Sequence, residues 1–546
     1  MMAISCFRKS FVMLLILSLL IFPLSCVTTK YVSIAEEIIP SDTYTEKGMS
    51  AEIEIKPMTP QTVGLPEKGP LTITVKDAVL IALENNRSLA VERINPSIQK
   101  TFEDQERAVF DPTVEAEVST KRNNSKSLNQ SGSYTESSLN DVHQGSISLK
   151  EFFPTGTFVE AEAITETTDS ALYNEPYSST RLGLSVTQSL LRGYGTDVNL
   201  ALLRQSQIET NITQYELRGF SEYLLAQVET TYWDYALSQR QIEIVEESLK
   251  IAKQQIADTE EMIRVGTMAE AELAAVQAEV AAQQQGLINA RSTMESTRLR
   301  LLRLLNPPGQ SFWDREVNLV HPPTLPEIKL DEVKTHVEVA IRMRPEMNQA
   351  KLDIQKEKIE IVRTKNGMLP RMDLFITFGK TGYADSFSGS VNDINGGSYD
   401  VKVGLNFEYP IFNRDTEAQH KRALLRRDQA EMALDNLKQL VELDVRNAYI
   451  EVNRTKEQIT ASTATRKFQE EKLRIETEKF RVGLSTNFFV AQAQRDLLVS
   501  RISEVQAVVN YLKALISFYR LEGSLLERRG ISAPGYDSME YSTKNK

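Results

Sequence analysis

Two stretches of this chain, each about 66 residues long, contain no proline and repeat apolar or small side chains at alternating steps of three and four, from about Asn199 to Arg264 and from Thr416 to Arg481. A helix rises 1.5 Å per residue, so each stretch predicts a rod of roughly 100 Å, far too long for a globular core. In the first rod the seam reads Leu224, Val228, Thr231, Tyr235, Ser238, Ile242, Val245, Leu249, Ala252, Ile256 and Ile263. That is the heptad spacing of helices that pack along their whole length. Gly266 and Gly483 end the rods, since glycine takes a positive φ without a Cβ clash. Return helices follow over Ala269 to Leu305 and Asn487 to Leu521.

The two rods belong to a duplication. Laying Arg264-Val265-Gly266 on Arg481-Val482-Gly483 fixes a separation of 217 residues, at which Tyr232 falls on Tyr449, Val228 on Val445, Gln277 on Gln494 and Arg303-Leu304 on Arg520-Leu521. Upstream, Phe110-Asp111-Pro112 lies on Met368-Leu369-Pro370 at 258, and Gly183-Leu184 lies on Gly404-Leu405 at 221, so the first copy holds about 37 extra residues. Each copy reads helix, strands, long helix, turn, helix, with Lys76 to Ala108 and Asp331 to Asn366 as the leading helices.

The strands alternate. Val114, Ala116 and Val118 oppose Thr113, Glu115 and Glu117; Met372, Leu374, Ile376 and Phe378 oppose Asp373, Phe375 and Thr377; Val401, Val403, Leu405 and Phe407 oppose Asp400, Lys402, Asn406 and Glu408. Their lengths approach the nine to eleven residues or so that cross a bilayer. A soluble antiparallel sheet with one buried face gives the same alternation. In the insert, roughly residues 120 to 180, Ser146 to Leu149 and Phe158 to Ala163 alternate around Pro154-Thr155-Gly156, which predicts a hairpin.

Composition narrows the function. Arg8 and Lys9 precede the apolar run Phe11 to Phe22, which reads as an export signal over residues 1–25. Pro23-Leu24-Ser25-Cys26 then resembles a lipobox, with cleavage expected before Cys26 and lipid on its thiol; the other reading is ordinary signal-peptide cleavage nearby, with Cys26 incidental. Cys6 and Cys26 are the two cysteines, so the mature fold is expected to stand without disulfides. A net charge of -11 with four histidines argues against a nucleic-acid partner. Beyond the signal no apolar run approaches about twenty residues, so any membrane crossing is by strands. The sequence has no HExxH, GxSxG or P-loop, and Gly379-Lys380-Thr381 reads as the start of a loop. His143, His321, His336 and His420 are scattered without metal-ligand spacing. No catalytic, cofactor or metal site is expected, and the chain does not read as an enzyme.

Residues 71 to 523 resemble the TolC outer-membrane efflux family. The likeness rests on the opening from Leu71 to Asn86, on Gln188-Ser189-Leu190-Leu191 and Tyr409-Pro410-Ile411-Phe412, and on the hairpin tips Met262 to Thr267 and Lys479 to Thr486. The resemblance implies an α+β membrane protein: a trimeric outer-membrane β-barrel continued by a long periplasmic α-helical barrel, with two structural repeats per protomer. It implies the exit channel of a tripartite efflux or type I secretion system, conducting passively, with a periplasmic membrane-fusion adaptor, an inner-membrane transporter and outer-membrane lipid as partners. The adaptor is then expected at Arg264, Val265, Gly266 and Thr267 and at Arg481, Val482, Gly483 and Leu484. Where the family carries acids six and nine residues after the second tip glycine, this chain has Phe489 and Gln492, while the first tip keeps Glu270 and Glu272; these four are the constriction candidates. Family members usually supply four strands each, and the extra hairpin would make six, or eighteen in a trimer, if it joins the wall; the alternative is an extracellular hairpin standing clear of the bilayer. A lipid-anchored periplasmic coiled-coil scaffold without transport activity is the rival reading. It leaves the strands unexplained.

The expected organisation is a signal over 1–25, a lipidated linker over 26–70 and a first repeat over 71–306, with strands at about 113–190, a long helix at about 199–264 and a tip at 265–268. A linker over 307–328 follows, then a second repeat over 329–523, with strands at about 371–410, a long helix at about 416–481 and a tip at 482–486, and a polar tail over 524–546. Val27 rather than Asp follows Cys26, which by the lipoprotein sorting rule directs the protein to the outer membrane. Mass spectrometry of the mature N-terminus should find a lipid-modified Cys26, and an unmodified start elsewhere would remove the anchor.

Overall fold

The computed structural model describes residues 69–125, 138–170, 175–308, 312–320, 322–326 and 328–531. The signal segment, Cys26, most of the linker to residue 70 and residues 532–546 lie outside the described residues. The chain opens with β1 (Leu71–Ile73) and α1 (Val75–Asn85). Thr74 caps α1 through a reciprocal box, its hydroxyl accepting from the Asp77 amide at 3.2 Å while its own amide donates to the Asp77 carboxylate at 3.0 Å. The single leading helix expected over Lys76 to Ala108 is broken into α1, α2 (Arg87–Glu92) and α3 (Asn95–Arg107). Asn86 is the cause of the first break: its backbone is extended and its side chain accepts from the Leu89 amide, starting a new helix. The second leading helix is likewise split into α7 (Val333–Met343) and α8 (Pro345–Gly367), because Pro345 forces Arg344 out of helical geometry.

The two rods form as expected. Behind α4 (Thr196–Asn199), α5 runs over Ala201–Arg264 for 64 residues and returns as α6 (Ala271–Leu305); α10 runs over Arg414–Arg481 for 68 residues and returns as α11 (Asn487–Glu522). All eleven seam residues of α5 turn inward, buried or half-buried. The duplication is visible in burial, for Leu224, Val228, Tyr235 and Ser238 and their counterparts Val441, Val445, Val452 and Thr455 are all buried. Both halves feed one core, where β1 pairs in parallel with β6 (Val317–Leu319) and Tyr232, Tyr511, Phe518 and Leu301 are fully enclosed. Each such side chain stabilises the fold by roughly 1.5–3 kcal/mol.

The expected polar tail is corrected at its start. Ser524 is buried, and α12 (Leu525–Arg528) drives Leu525 and Leu526 into the core, while Arg529 grips the buried Glu229 at 2.7 Å. Nearby, burial pushes the Glu222 carboxyl up to about 7, against the opposing pull of Arg218.

Six strands form one antiparallel sheet: β2 (Thr113–Ser125), β3 (Ser138–Phe153), β4 (Thr157–Ser170), β5 (Tyr177–Ser189), β7 (Arg371–Ala384) and β8 (Tyr399–Glu408), in that spatial order. The register aligns residues of one character in rows across it. Val114, Leu149, Ala161, Leu184, Phe378 and Val401 form one such row on the apolar face; Glu115, Ser148, Glu162, Gly183, Gly379 and Asp400 form its neighbour on the other. The apolar face is uncovered, with Val118 at 89% exposure and Phe407 at 63%. Gly379-Lys380-Thr381, read as a loop start, is instead inside β7. Gly379 has no side chain to spare, because the Arg181–Asp400 ion pair closes over it. Beyond β7, α9 (Phe387–Asp393) folds onto the strand ends through a 2.7 Å hydrogen bond between Thr180 and the buried Ser390.

The inserted hairpin, β3 and β4, is part of this sheet. Its turn is tied to the junction between β5 and α4. Asn199 donates to the Pro154 carbonyl at 2.9 Å and to the Gly193 carbonyl at 2.8 Å, and the Ser189 amide donates to the Gly156 carbonyl at 3.0 Å. Gly156 has a φ of +86° and any Cβ there would strike the Gly193 carbonyl oxygen. Gly156→Val should therefore cost about 1–3 kcal/mol, seen as a lower thermal midpoint, whereas Gly397→Val, facing open space, should leave it unchanged.

Candidate functional site

The two tips are built alike. At the first, Val265 caps α5, Gly266 takes a φ of +79°, its amide donates to the Ile263 carbonyl at 2.9 Å and the Thr267 amide reaches the Met262 carbonyl at 2.9 Å. At the second, Val482 caps α10, Gly483 again takes a φ of +79°, and the Gly483 and Leu484 amides reach the Phe480 and Lys479 carbonyls at 3.0 and 2.8 Å. This closing pattern satisfies the last carbonyls of a helix and needs a residue at positive φ. A Cβ on either glycine would meet nothing within 4 Å, so conformation alone requires glycine there. Arg264 and Arg481 sit in the last turns and bind Glu261 at 2.6 Å and Glu478 at 3.0 Å, one turn back. Val265, Val482 and Leu484 project uncovered.

A buried asparagine joins the hairpins. Asn487, at 0% exposure, accepts from Gln255 at 3.2 Å and donates to the Met268 sulfur at 3.3 Å. Gln494 returns a bond to Gln255 at 2.6 Å. The sequence reading passed over Asn487; a polar residue opening an apolar helix was the available signal.

Of the constriction candidates, Phe489 is 52% exposed, so it does not serve the protomer's own core. It packs edge-on against Phe488, also exposed, with ring centroids 5.6 Å apart, and Gln492 lies exposed one turn further on. Phe488 was missed, although it adjoins Phe489 in sequence. Glu270 and Glu272 open α6, where acids complement the helix N-terminus.

The polar face of the sheet carries paired charges. Lys150 sits between Glu115 and Glu160, Arg181 binds Asp400 at 2.7 Å, and Asp373 takes both Arg371 at 2.6 Å and the Ser189 hydroxyl at 3.0 Å. His143, His336 and His420 are engaged with Thr120, Glu522 and Thr364 respectively. No cluster of three or more metal-ligating side chains occurs among the described residues, and no described helix is long and apolar enough to cross a membrane.

The sequence profile described as "Outer membrane efflux protein" matches residues 79–307 and 337–524. Among solved structures the chain is similar to the outer-membrane channel OprN at 16% identity, with a TM-score of 0.62 over 88% of this chain and 98% of that one. CusC, whose structures concern folding and transmembrane channel formation, is similar at 17% identity with a TM-score of 0.61 over 84% and 95%. The CmeC outer membrane channel of Campylobacter jejuni is similar at 15% identity with a TM-score of 0.59 over 83% and 86%. At these identities the likeness is one of fold. No curated protein matches the chain.

Proposed function

The chain belongs to the outer membrane efflux protein family, and on that footing we propose that three copies pool their sheets into one closed β-barrel in the outer membrane and their helical hairpins into one tube through the periplasm. The assembly is a passive exit duct, fed by an inner-membrane transporter through a periplasmic adaptor. The sheet carries this reading: an uncovered face of Val, Ile, Leu and Phe lies back to back with a face of charges, and among the described residues neither edge strand, β2 nor β8, has an outer neighbour. Lipid suits the first face and a water-filled lumen the second. Unpaired amides and carbonyls in hydrocarbon cost several kcal/mol each, so β8 of one copy pairs with β2 of the next. Six strands from each of three copies give eighteen, an even number within the range of such barrels.

The helices favour the same assembly. Leu425, Met432, Leu443, Ile450, Phe468 and Ile475 along α10, with Val482 at its cap, form an exposed apolar stripe, mostly at steps of seven, which is the spacing of a seam for a neighbouring helix. A coiled-coil scaffold tethered through Cys26 would leave the apolar face of the sheet in water. The anchor at Cys26 is compatible with the duct and adds a second hold on the membrane. At the far end, three copies of Phe488, Phe489 and Gln492 around the axis would form an apolar constriction that gates by dewetting, flanked by Glu270 and Glu272.

Adaptor hairpins dock on Arg264 to Thr267 and Arg481 to Leu484. Gly266→Asp and Gly483→Asp strain the turn at its positive φ but place the new charge in open space, away from the strands and the buried seams, so the trimer should still form. Cysteine at Thr267 or Leu484 should cross-link to a co-expressed adaptor, and either aspartate should lower that yield and export at least tenfold. Undiminished cross-linking, or loss of the trimer, would contradict docking at the tips.

A further inference from the structure

A cavity of about 980 Å³ opens beside the core, between α2, the middle of α5, the end of α6, the end of α11 and the turn at Phe312–Asp314. Four of its lining side chains are Arg87, Arg300, Arg303 and Arg520, and no acid lines it. That is a local reversal in a chain of net charge -11. Arg87, Arg300 and Arg303 enter no ion pair among the described residues, and Arg520 faces the buried Glu222. Two half-exposed aromatics, Tyr223 and Trp313, border the same space.

The wall is fixed before any ligand arrives. Asn86 donates to the Leu304 carbonyl at 2.9 Å and Asn306 to the Asn85 carbonyl at 2.8 Å, stitching the α1–α2 break to the end of α6. Asn306 holds a left-handed conformation to do so. Arg298 donates to the carbonyls of Trp313 at 3.0 Å and Arg315 at 2.6 Å, which seats the aromatic turn against the same helix. Guanidinium forks match carboxylate and phosphate groups in bidentate geometry, and flat aromatic rings suit the C–H face of a sugar. Depth along the rod limits the source. Tyr223 lies 22 residues from the start of α5 and 41 from its end, or roughly 33 Å and 60 Å at 1.5 Å per residue. With the sheet in the outer membrane as proposed, the cavity lies below the headgroups and well short of the tips.

We propose that this cavity binds an acidic glycopeptide, a sugar whose attached peptide carries the free carboxylates, and that in the proposed placement its source is the cell wall. The site would hold the periplasmic tube against the wall. The inference rests on the outer-membrane orientation for its source alone; the cavity and its charges belong to the protomer.

The purified full-length protein, in its assembled form, is titrated with disaccharide-peptide fragments released from isolated cell wall by a muramidase. Saturable binding is expected, at least tenfold weaker in Arg300→Glu/Arg303→Glu and weaker in Trp313→Ala. Arg300 and Arg303 are exposed, so the double variant should keep its fold and assembly, which circular dichroism and sizing check. Uncharged N-acetylglucosamine oligomers and inorganic phosphate, tested separately, should each bind at least tenfold more weakly than the fragments. Absence of saturable binding, binding unaltered by the double variant, or phosphate binding as tightly as the fragments would overturn the proposal. So would ready disulfide cross-linking of Arg303→Cys to a neighbouring protomer, which would show the cavity to be covered. Adaptor cross-linking at the tips is a separate readout, so failure here and failure of the duct are distinguishable.

Discussion

An amide or carbonyl at the edge of a sheet has no partner in hydrocarbon, and leaving it unpaired there costs several kcal/mol. In this chain the constraint falls on β2 and β8, the two ends of a six-stranded sheet whose apolar face lies uncovered. Once that face is in lipid, the sheet has to close, and six strands are too few to close around a solute-sized pore. The proposed trimer follows from that requirement, and the rest of the molecule is arranged to fit it. The strand-to-helix junctions hand each repeat to a rod, and in the proposed assembly the rods carry the passage away from the membrane.

The rods hold together by repetition more than by any single contact. Equivalent positions 217 residues apart, Val228 with Val445 and Ser238 with Thr455, are buried in both copies. Where the copies meet, the core draws on β1, β6, α5, α10, α11 and α12 together. Buried ions there are matched, Glu229 by Arg529 and Glu522 by His336 at 2.6 Å and Arg528 at 3.1 Å. Breaking such a pair would strand a charge away from water, so these contacts fix the arrangement of the ends of the chain.

Periodic features were legible in the sequence because each is a sum over many residues. The seam of α5, the alternation of the strands and the duplication fall in this class, and the inserted hairpin was readable from Pro154-Thr155-Gly156 between two alternating segments. Features decided by one residue were not. Asn86 and Pro345 each divide an otherwise helical stretch, and Leu525-Leu526 anchors the start of a tail that is otherwise polar. Asn487 is satisfied by Gln255, 232 residues away, and Gly379 exists for an ion pair between two other strands. Tertiary partners settle such positions, and a single sequence does not display them. Both tip glycines were correctly located because positive φ is a local demand.

The insert separates this chain from a four-strand contribution most sharply, since β3 and β4 lie between β2 and β5 with continuous register. In the proposed wall the two added strands of each copy carry Lys150, Glu160 and Glu162 on the polar face, charges that the hairpin brings in. An electron cryo-microscopy map of the full-length protein in lipid nanodiscs tests the central claim directly. The expected map shows three copies and a closed wall of eighteen strands, with β8 of each copy paired to β2 of the next and the apolar rows facing lipid. A wall of twelve strands with the hairpin outside it, or single copies with open sheet edges, would contradict it.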